Sequence, residues 1–479
     1  MQNNFYDAGT VISQSNIAFG TSGARGLVEQ FSDDTCAAFA VAFIANMQAK
    51  FTFDRVAIAI DRRPSSPKMA AAVAGACEAV GLSVDYYGVL PTPALALQAM
   101  ADGIPSIMIT GSHIPFDRNG IKFYRPDGEI SKEDEQGILN SRADLPNYRA
   151  NLPQQSNRAE EHYVARYTGL HSSSEPLKGV RIGLYEHSAA GRDLNRVIFE
   201  NLGATVISLG RTDTFVPIDT EAVSDQDRIL GNQWAREHNL DAVFSTDGDG
   251  DRPLLADENG EWLRGDILGL LCAQNLGIKA LAVPVSCNTG IELCGAFTTV
   301  ARTRIGSPYV IEAMSDLSEK HDSVAGFEAN GGFLLGADLT IDSSTLKALP
   351  TRDAILPALV ALTAAHKKGK TLSELLGDLP ERYTISDRVT NFPTEKSKQL
   401  IAEWKAKPES LTMEFELPHD IRTIDFTDGL RVTLQNEQIV HLRPSGNAPE
   451  LRCYCEAERP EEARQLIESC MRKLRELAI

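Results

Sequence analysis

The chain has 479 residues, 43% of them hydrophobic and 23% charged, an ordinary soluble composition with enough apolar material for three or four domains. Its formal net charge of −18 argues against nucleic acid or an anionic membrane surface as a partner. It does not exclude a small anionic substrate, because charges beyond about 8 Å are screened at physiological salt and cations gathered locally decide binding.

No apolar run reaches the length of a membrane span, and the opening MQNNFYDAGT lacks the basic and apolar regions of a secretory signal, so a cytoplasmic location is expected. The eight cysteines have neither a disulfide framework nor paired zinc spacing, and read as buried or incidental thiols. Cys453 and Cys455, one residue apart in a strand-like run, are expected to point to opposite faces.

Along the chain one rhythm occurs three times: apolar strand, small polar loop, amphipathic helix, apolar strand. It begins at VAIAID (56–61), at RIGLYE (181–186) and at LAVPVS (281–286). Each repeat then reaches a further apolar strand that ends in a polar loop: IPSIMI before TGSHIP (110–115), LDAVFST before DGDGDR (247–252), and DSVAG before FEANGG (327–332). Ligands of open α/β sheets bind beyond the carboxyl ends of strands, so these three loops are the places to look for chemistry. Beyond about 375–385 the rhythm breaks into an α+β pattern, with helices near 394–405 and 460–476 around alternating strands such as LRVTLQ and ELRCYCEAE. Between those strands lies a fourth loaded loop, RPSGNAPELR (443–452). The expected architecture is α/β, with three similar mixed-sheet domains over 1–150, 151–272 and 273–376 and a C-terminal α+β domain over 377–479.

DGDGDR is the most informative stretch. Asp247, Asp249 and Asp251 alternate directly after an apolar strand. Two carboxylates about 4 Å apart repel by roughly 4 kcal/mol at an effective dielectric of 20, so the loop calls for a cation. All-oxygen ligands with no His or Cys beside them select a hard one, Mg²⁺ or Ca²⁺. An EF-hand is a poor fit, since its sixth position needs Gly where Arg252 stands and its flank should be a helix. A solvated acidic turn is the bland reading. A magnesium phosphatase with Asp247 as the nucleophile stays open, as does a non-catalytic sugar-phosphate or cation-binding protein.

The other loops are ambiguous one by one. TGSHIP presents Ser112 from a turn, with His113 beside it; consecutive side chains usually diverge, so the pair is not itself a dyad, and no G-x-S-x-G elbow is present. Lys122, in NGIKFY, is placed to return toward that loop. FEANGG offers Glu328 and Asn330 to sugar hydroxyls, or merely a turn. In RPSGNAPELR the backbone around Ser445, Gly446 and Asn447 suits an anion nest, with Arg443 and Arg452 able to fork phosphate oxygens. FGTSGARG (19–26) reads as a Gly/Ser loop carrying Arg25, again suited to an anion, and is neither G-x-G-x-x-G nor a Walker loop.

Taken together and in order, these loops make the chain resemble the α-D-phosphohexomutases, the family of phosphomannomutase, phosphoglucomutase and phosphoglucosamine mutase. FGTSGARG looks like the family's N-terminal phosphate-proximal loop, TGSHIP its phosphoserine loop, DGDGDR its magnesium loop, FEANGG its sugar-recognition loop and RPSGNAPELR its phosphate-binding loop. The resemblance covers essentially the whole chain. It implies a heart-shaped protein of four domains around a central cleft, acting on a hexose phosphate through Mg²⁺ and a hexose 1,6-bisphosphate intermediate or activator. Ser112 would carry the phosphoryl group, and Mg²⁺ would be held by Ser112, Asp247, Asp249 and Asp251. Arg25 and Arg252 would supply positive charge, and His113 or Lys122 would move the hydroxyl proton, Lys122 being preferred. Glu328, Asn330, Arg443, Ser445, Gly446, Asn447 and Arg452 would bind substrate.

Departures from the family pattern bear on the sugar. Ile114 stands at a usual Asn, Asn330 and Gly332 at a usual Ser and His, Asn447 and Ala448 at a usual Thr-Glu, and Pro308 in TRIGSPYV at a frequent Lys. The TSGARG form leans toward mannose, then toward glucose or dual activity, and last toward glucosamine. Oligomeric state is not legible.

Overall fold

The computed structural model describes residues 7–20, 23–170, 173, 175–445 and 449–478. The chain divides into two compact units, Met1–Leu276 with Asn330–Ser373, and Gly277–Ala329 with Glu374–Ile479.

The first unit opens with a mixed sheet of β1 (Ala18–Gly20), β2 (Gly23–Leu27), β3 (Arg55–Ile60), β4 (Ser83–Val89), β5 (Ser106–Ile109), β6 (Arg118–Arg125) and β7 (Gly128–Glu129), in the order β1-β2-β6-β5-β3-β4 with β7 beside β6. β3 lies parallel to both β4 and β5, while β6 runs antiparallel to β5 and β2. A second sheet has the order β11-β10-β8-β9, from β8 (Arg181–Tyr185), β9 (Thr205–Leu209), β10 (Ala242–Thr246) and β11 (Pro253–Ala256). Here β8 is parallel to β9 and β10, and β11 is antiparallel to β10. In the second unit, strand Ala280–Pro284 lies parallel to Thr299–Thr303 on one side and Val324–Phe327 on the other. The three repeats therefore share one topology, in which the first strand is flanked by the second and the third. The third strand of each, β5, β10 or Val324–Phe327, leads into TGSHIP, DGDGDR or FEANGG.

The crossover helices form where small residues allow close approach. Asp33–Gln48 and Ser66–Ala79 are Ala-rich, mostly buried and packed against one another. Ser32 caps the first, its side chain accepting from the Thr35 N–H, with Asp33 and Asp34 in the first turn. On β6, residues alternate between faces. Phe123 enters the core, its ring 4.9 Å from that of Phe43, and the neighbouring Lys122 faces the other way.

The C-terminal part of the second unit is a five-stranded antiparallel sheet ordered Tyr383–Thr390, Glu450–Ala457, Ile439–Pro444, Leu430–Leu434, Ile421–Asp425. Helices Thr394–Ala406 and Pro460–Ala478 form where expected, and a further short one, Pro408–Glu414, lies between helix and sheet in sequence.

Two expectations are corrected. FGTSGARG is mostly strand: residues 18–20 and 23–27 form the antiparallel pair β1–β2, and 21–22 lie outside the described residues. Pairing of β2 with β6 outweighs the weak strand preference of its glycines. Cys453 and Cys455 share a face, with their sulfurs 3.8 Å apart, because alternate residues of a strand point the same way. Among the described residues, no helix is long and apolar enough to cross a membrane.

Candidate active site

The turn after β5 fixes Ser112. This residue is fully buried and holds φ at +54°, a left-handed conformation that costs a non-glycine residue roughly 1–2 kcal/mol. Its backbone N–H donates to Thr110 Oγ1 at 2.8 Å, and its own hydroxyl donates to Asp247 Oδ2 at 2.6 Å. The left-handed turn also brings Ser112 Oγ within 3.4 Å of His113 Nδ1, so the adjacent side chains do not diverge.

DGDGDR connects β10 to β11. Asp247 N–H donates to the Arg252 carbonyl at 3.1 Å, closing a hairpin rather than a helix-flanked calcium loop. Asp247, Asp249 and Asp251 are fully buried and offer oxygens that all lie within 4.8 Å of one another. Gly248 is required by the packing, since a Cβ there would stand 2.7 Å from the Ser112 carbonyl oxygen.

Lys122 reaches this cluster from β6. Its Nζ donates to Asp249 Oδ2 at 2.5 Å and to Asp251 Oδ2 at 2.8 Å. Thr92 Oγ1 donates to Asp249 Oδ2 at 2.7 Å, and Arg352 Nε to Asp251 Oδ2 at 3.1 Å. The three carboxyls respond differently to one burial. Desolvation and then the charges of Asp249 and Asp251 push Asp247 well above the usual carboxylate range. For Asp249, burial and Asp251 push upward and are outweighed by Lys122 and Thr92, leaving it below its ordinary value. For Asp251, burial is overcome by Arg352, Lys122 and Arg252, and it too falls.

Asp249 Oδ1 and Asp251 Oδ1 remain buried without a hydrogen-bond partner. Orphaned acceptors of this kind cost about 1–3 kcal/mol each, more when charged. An all-oxygen donor set with two unsatisfied carboxylate oxygens fits a hard divalent cation such as Mg²⁺.

Two further cations, Arg25 and Arg252, act on the cluster. Arg25 stands on β2 opposite Gly120 of β6, its pKa lowered to about 10 by burial and then by Arg252. Arg252 donates from Nη1 to His113 Nδ1 at 2.8 Å, which takes that nitrogen's lone pair. Burial and then Arg252 hold His113 well below its ordinary value, so at neutral pH it is uncharged and its free N–H is on Nε2.

Sequence reasoning passed over Thr92 and Arg352. Thr92 opens a helix with nothing to mark it. Arg352 had a weak signal, the polar run TRD just before the apolar helix Ile355–Lys368. Its neighbour Asp353, also buried, accepts from the hydroxyls of Tyr163 and Tyr167, which fixes the strand that delivers Arg352.

Of the remaining candidates, Asn330 belongs to the first unit. It is buried, and its Oδ1 accepts from the Gly332 N–H at 3.0 Å, which closes a turn. Glu328, Arg443, Ser445 and Arg452 belong to the second unit. Glu328 and Ser445 are buried there. Arg443 and Arg452 are directly opposed on neighbouring strands, an arrangement that is unfavourable for like charges. Each has a carboxylate of its own: Asp428 Oδ2 lies 2.8 Å from Arg443 Nε, and Glu450 Oε2 lies 3.6 Å from Arg452 Nη2. Gly446 and Asn447 lie outside the described residues.

The chain resembles known proteins over nearly its whole length. Residues 16–148 match the model of phosphoglucomutase/phosphomannomutase alpha/beta/alpha domain I, 264–383 that of domain III, and 389–473 that of the C-terminal domain. A phosphomannomutase of Salmonella muenchen is 53% identical over 473 residues, 98% of either chain. One from Sinorhizobium fredii is 43% identical over 465 residues, covering 94% of this chain and 97% of its own. The crystal structure of a phosphoglucomutase/phosphomannomutase family protein from Burkholderia thailandensis superposes with a TM-score of 0.75 at 19% identity, over 95% of this chain and 96% of that one, and so shares the fold. With these matches spanning its length, the chain belongs to the phosphoglucomutase/phosphomannomutase family.

Proposed function

We propose that this phosphohexomutase interconverts hexose 6-phosphate and hexose 1-phosphate, with mannose as the preferred hexose and glucose next. The observation that carries this reading is a buried serine hydroxyl 2.6 Å from one carboxylate of a three-aspartate cluster that still has two unsatisfied oxygens.

In the proposed cycle the Lys122 ammonium, which bridges Asp249 and Asp251, first gives a proton to solvent. The phosphoryl group then leaves Ser112 Oγ for the free hydroxyl of the hexose phosphate. The hydroxyl proton passes to the Lys122 amine, and it is returned when the second transfer frees a sugar oxygen. The bisphosphate so formed turns over, and its other phosphoryl group returns to Ser112 Oγ. Asp247, Asp249 and Asp251 would hold Mg²⁺, which when bound neutralises charge on the transferring phosphoryl group. Arg25 and Arg252 orient phosphate oxygens beside Ser112. Arg443, Ser445 and Arg452, with Gly446 and Asn447, bind the phosphate that is not reacting, and Glu328 and Asn330 bind sugar hydroxyls. Mannose is favoured by the identity to phosphomannomutases over nearly the whole chain.

A coupled assay tests the reading. Mannose, glucose and glucosamine phosphates are compared by kcat/KM with a catalytic amount of the matching 1,6-bisphosphate. The mannose assignment fails if another sugar has the larger value, and the mutase assignment fails if none turns over.

A further inference from the structure

Arg63 is among the largest fully buried side chains of the described residues, 1% exposed, and is none of the residues given a substrate role above. Its Nη2 donates to the carbonyls of Ser112 at 3.0 Å and Ile114 at 2.6 Å, and its Nη1 to those of Pro115 at 2.7 Å and Arg118 at 3.0 Å. Nε donates to Asp61 Oδ2 at 3.2 Å, and the guanidinium lies 4.0 Å from the centre of the Phe215 ring. One planar cation thus gathers three carbonyls of the loop that carries the reacting serine and that of Arg118, where β6 begins.

Asp61 ties this clamp to the other side of Ser112. Its Oδ2 also accepts from Thr110 Oγ1 at 2.8 Å, and the same Thr110 oxygen accepts from the Ser112 N–H at 2.8 Å. Both peptide groups of Ser112 are therefore tied down, one through Thr110 and one through Arg63. The pair over-determines the left-handed φ that aims Oγ at Asp247; strain of this kind persists only where the surroundings impose it. Gly111 completes the arrangement, because a Cβ there would stand 2.6 Å from Arg63 Cζ.

We propose that Arg63, fixed by Asp61, is the positioning residue of the phosphoryl-carrying serine: it sets the backbone of 112–118 so that Ser112 Oγ faces the aspartates. This rests on Ser112 being the carrier. A lysine cannot substitute, since a single ammonium has three donors in no common plane, whereas the carbonyls are met by a rigid fork.

The test uses the full chain with Arg63→Lys, Arg63→Ala and Gly111→Ala. Three things are read: steady-state kcat and KM, the single-turnover rate of phosphoryl transfer from a hexose 1,6-bisphosphate to Ser112, and amide hydrogen exchange over 110–118. A misplacement of about 1 Å at reacting atoms costs on the order of 100-fold. All three variants should lose about that factor in kcat and in the single-turnover rate. KM should stay near wild type, and exchange should rise at 112–118 with the remainder of the chain unchanged. Added guanidinium ion should recover part of the rate of Arg63→Ala and none of Arg63→Lys, whose side chain fills the space. Wild-type kcat in Arg63→Lys, or loss of rate with unaltered exchange at 112–118, overturns the proposal. If Arg63→Ala does not fold, the other two variants carry the test. If the wild type itself never phosphorylates Ser112, the proposed function has failed, and hydrogen exchange in Arg63→Lys still decides whether the clamp exists: faster exchange supports it and unaltered exchange removes it.

Discussion

Lys122→Met should make the protein's stability depend on magnesium. In the wild type the Lys122 ammonium, only 4% exposed, bridges Asp249 and Asp251, so with no divalent ion present it is a principal counter-charge of the cluster. Removing one partner of a buried ion pair costs about 3–5 kcal/mol, because the remaining charge is left uncompensated. Here Asp249 loses its ammonium partner and is left with the Thr92 hydroxyl, while Asp251 still accepts from Arg352. Methionine keeps most of the volume, so packing loss adds little. In EDTA the unit that contains the site should therefore lose about 3–5 kcal/mol. Saturating Mg²⁺ should return most of it, since a ligand at a hundred times its dissociation constant stabilises by about 2.7 kcal/mol. The same variant should bind Mg²⁺ more tightly, as no ammonium has to leave the carboxylates first. Denaturant melts with and without Mg²⁺, alongside calorimetric titration of the metal, measure both. An equal loss in EDTA and in Mg²⁺, or weaker metal binding, would refute the reasoning. Turnover should fall by about 100- to 10,000-fold if Lys122 moves the hydroxyl proton, which is the usual worth of a general base.

Three further outcomes are expected. Ser112→Ala should abolish mutase turnover while hexose phosphate binding and folding persist; release of inorganic phosphate through a base-labile acyl phosphate would instead point to Asp247 as a nucleophile. Arg443→Ala should raise KM more than it lowers kcat, by the roughly 1.5–3 kcal/mol of a hydrogen bond to a charged group, and an unchanged KM would remove Arg443 from the phosphate site. His441 is buried, donates from Nε2 to the Asp428 carbonyl, and has a pKa lowered to about 4, first by desolvation. The unfolded chain then binds the extra proton below about pH 6.5, so stability is full above that value and falls as pH drops toward 4, by about 1.4 kcal/mol per unit. Urea melts of His441→Gln between these limits should show a shallower pH dependence, and an unaltered slope would count against a neutral buried imidazole.

Much of this protein is written locally in its chain. The three repeats were legible because apolar strands and helix-forming runs alternate at short range, and because chemistry-bearing residues collect where strands end. The alternation of Asp247, Asp249 and Asp251 called for positive charge, since neighbouring carboxylates repel unless something offsets them, and folding sets Lys122 and Arg352 against two of them. What packing decided is of another kind. The segment that carries Arg25 is a strand only because β6 lies beside it. Thr92, Arg352 and Arg63 gave little warning, because each acquires its role from partners far away in sequence: Thr92 from Asp249, Arg352 from Asp251, Arg63 from Ser112. Lys122 was a plausible lysine until folding removed water from around it and set it against two carboxylates. Identity and spacing are properties of the chain; desolvation and charge proximity, which tune these groups, exist only once distant segments close around them.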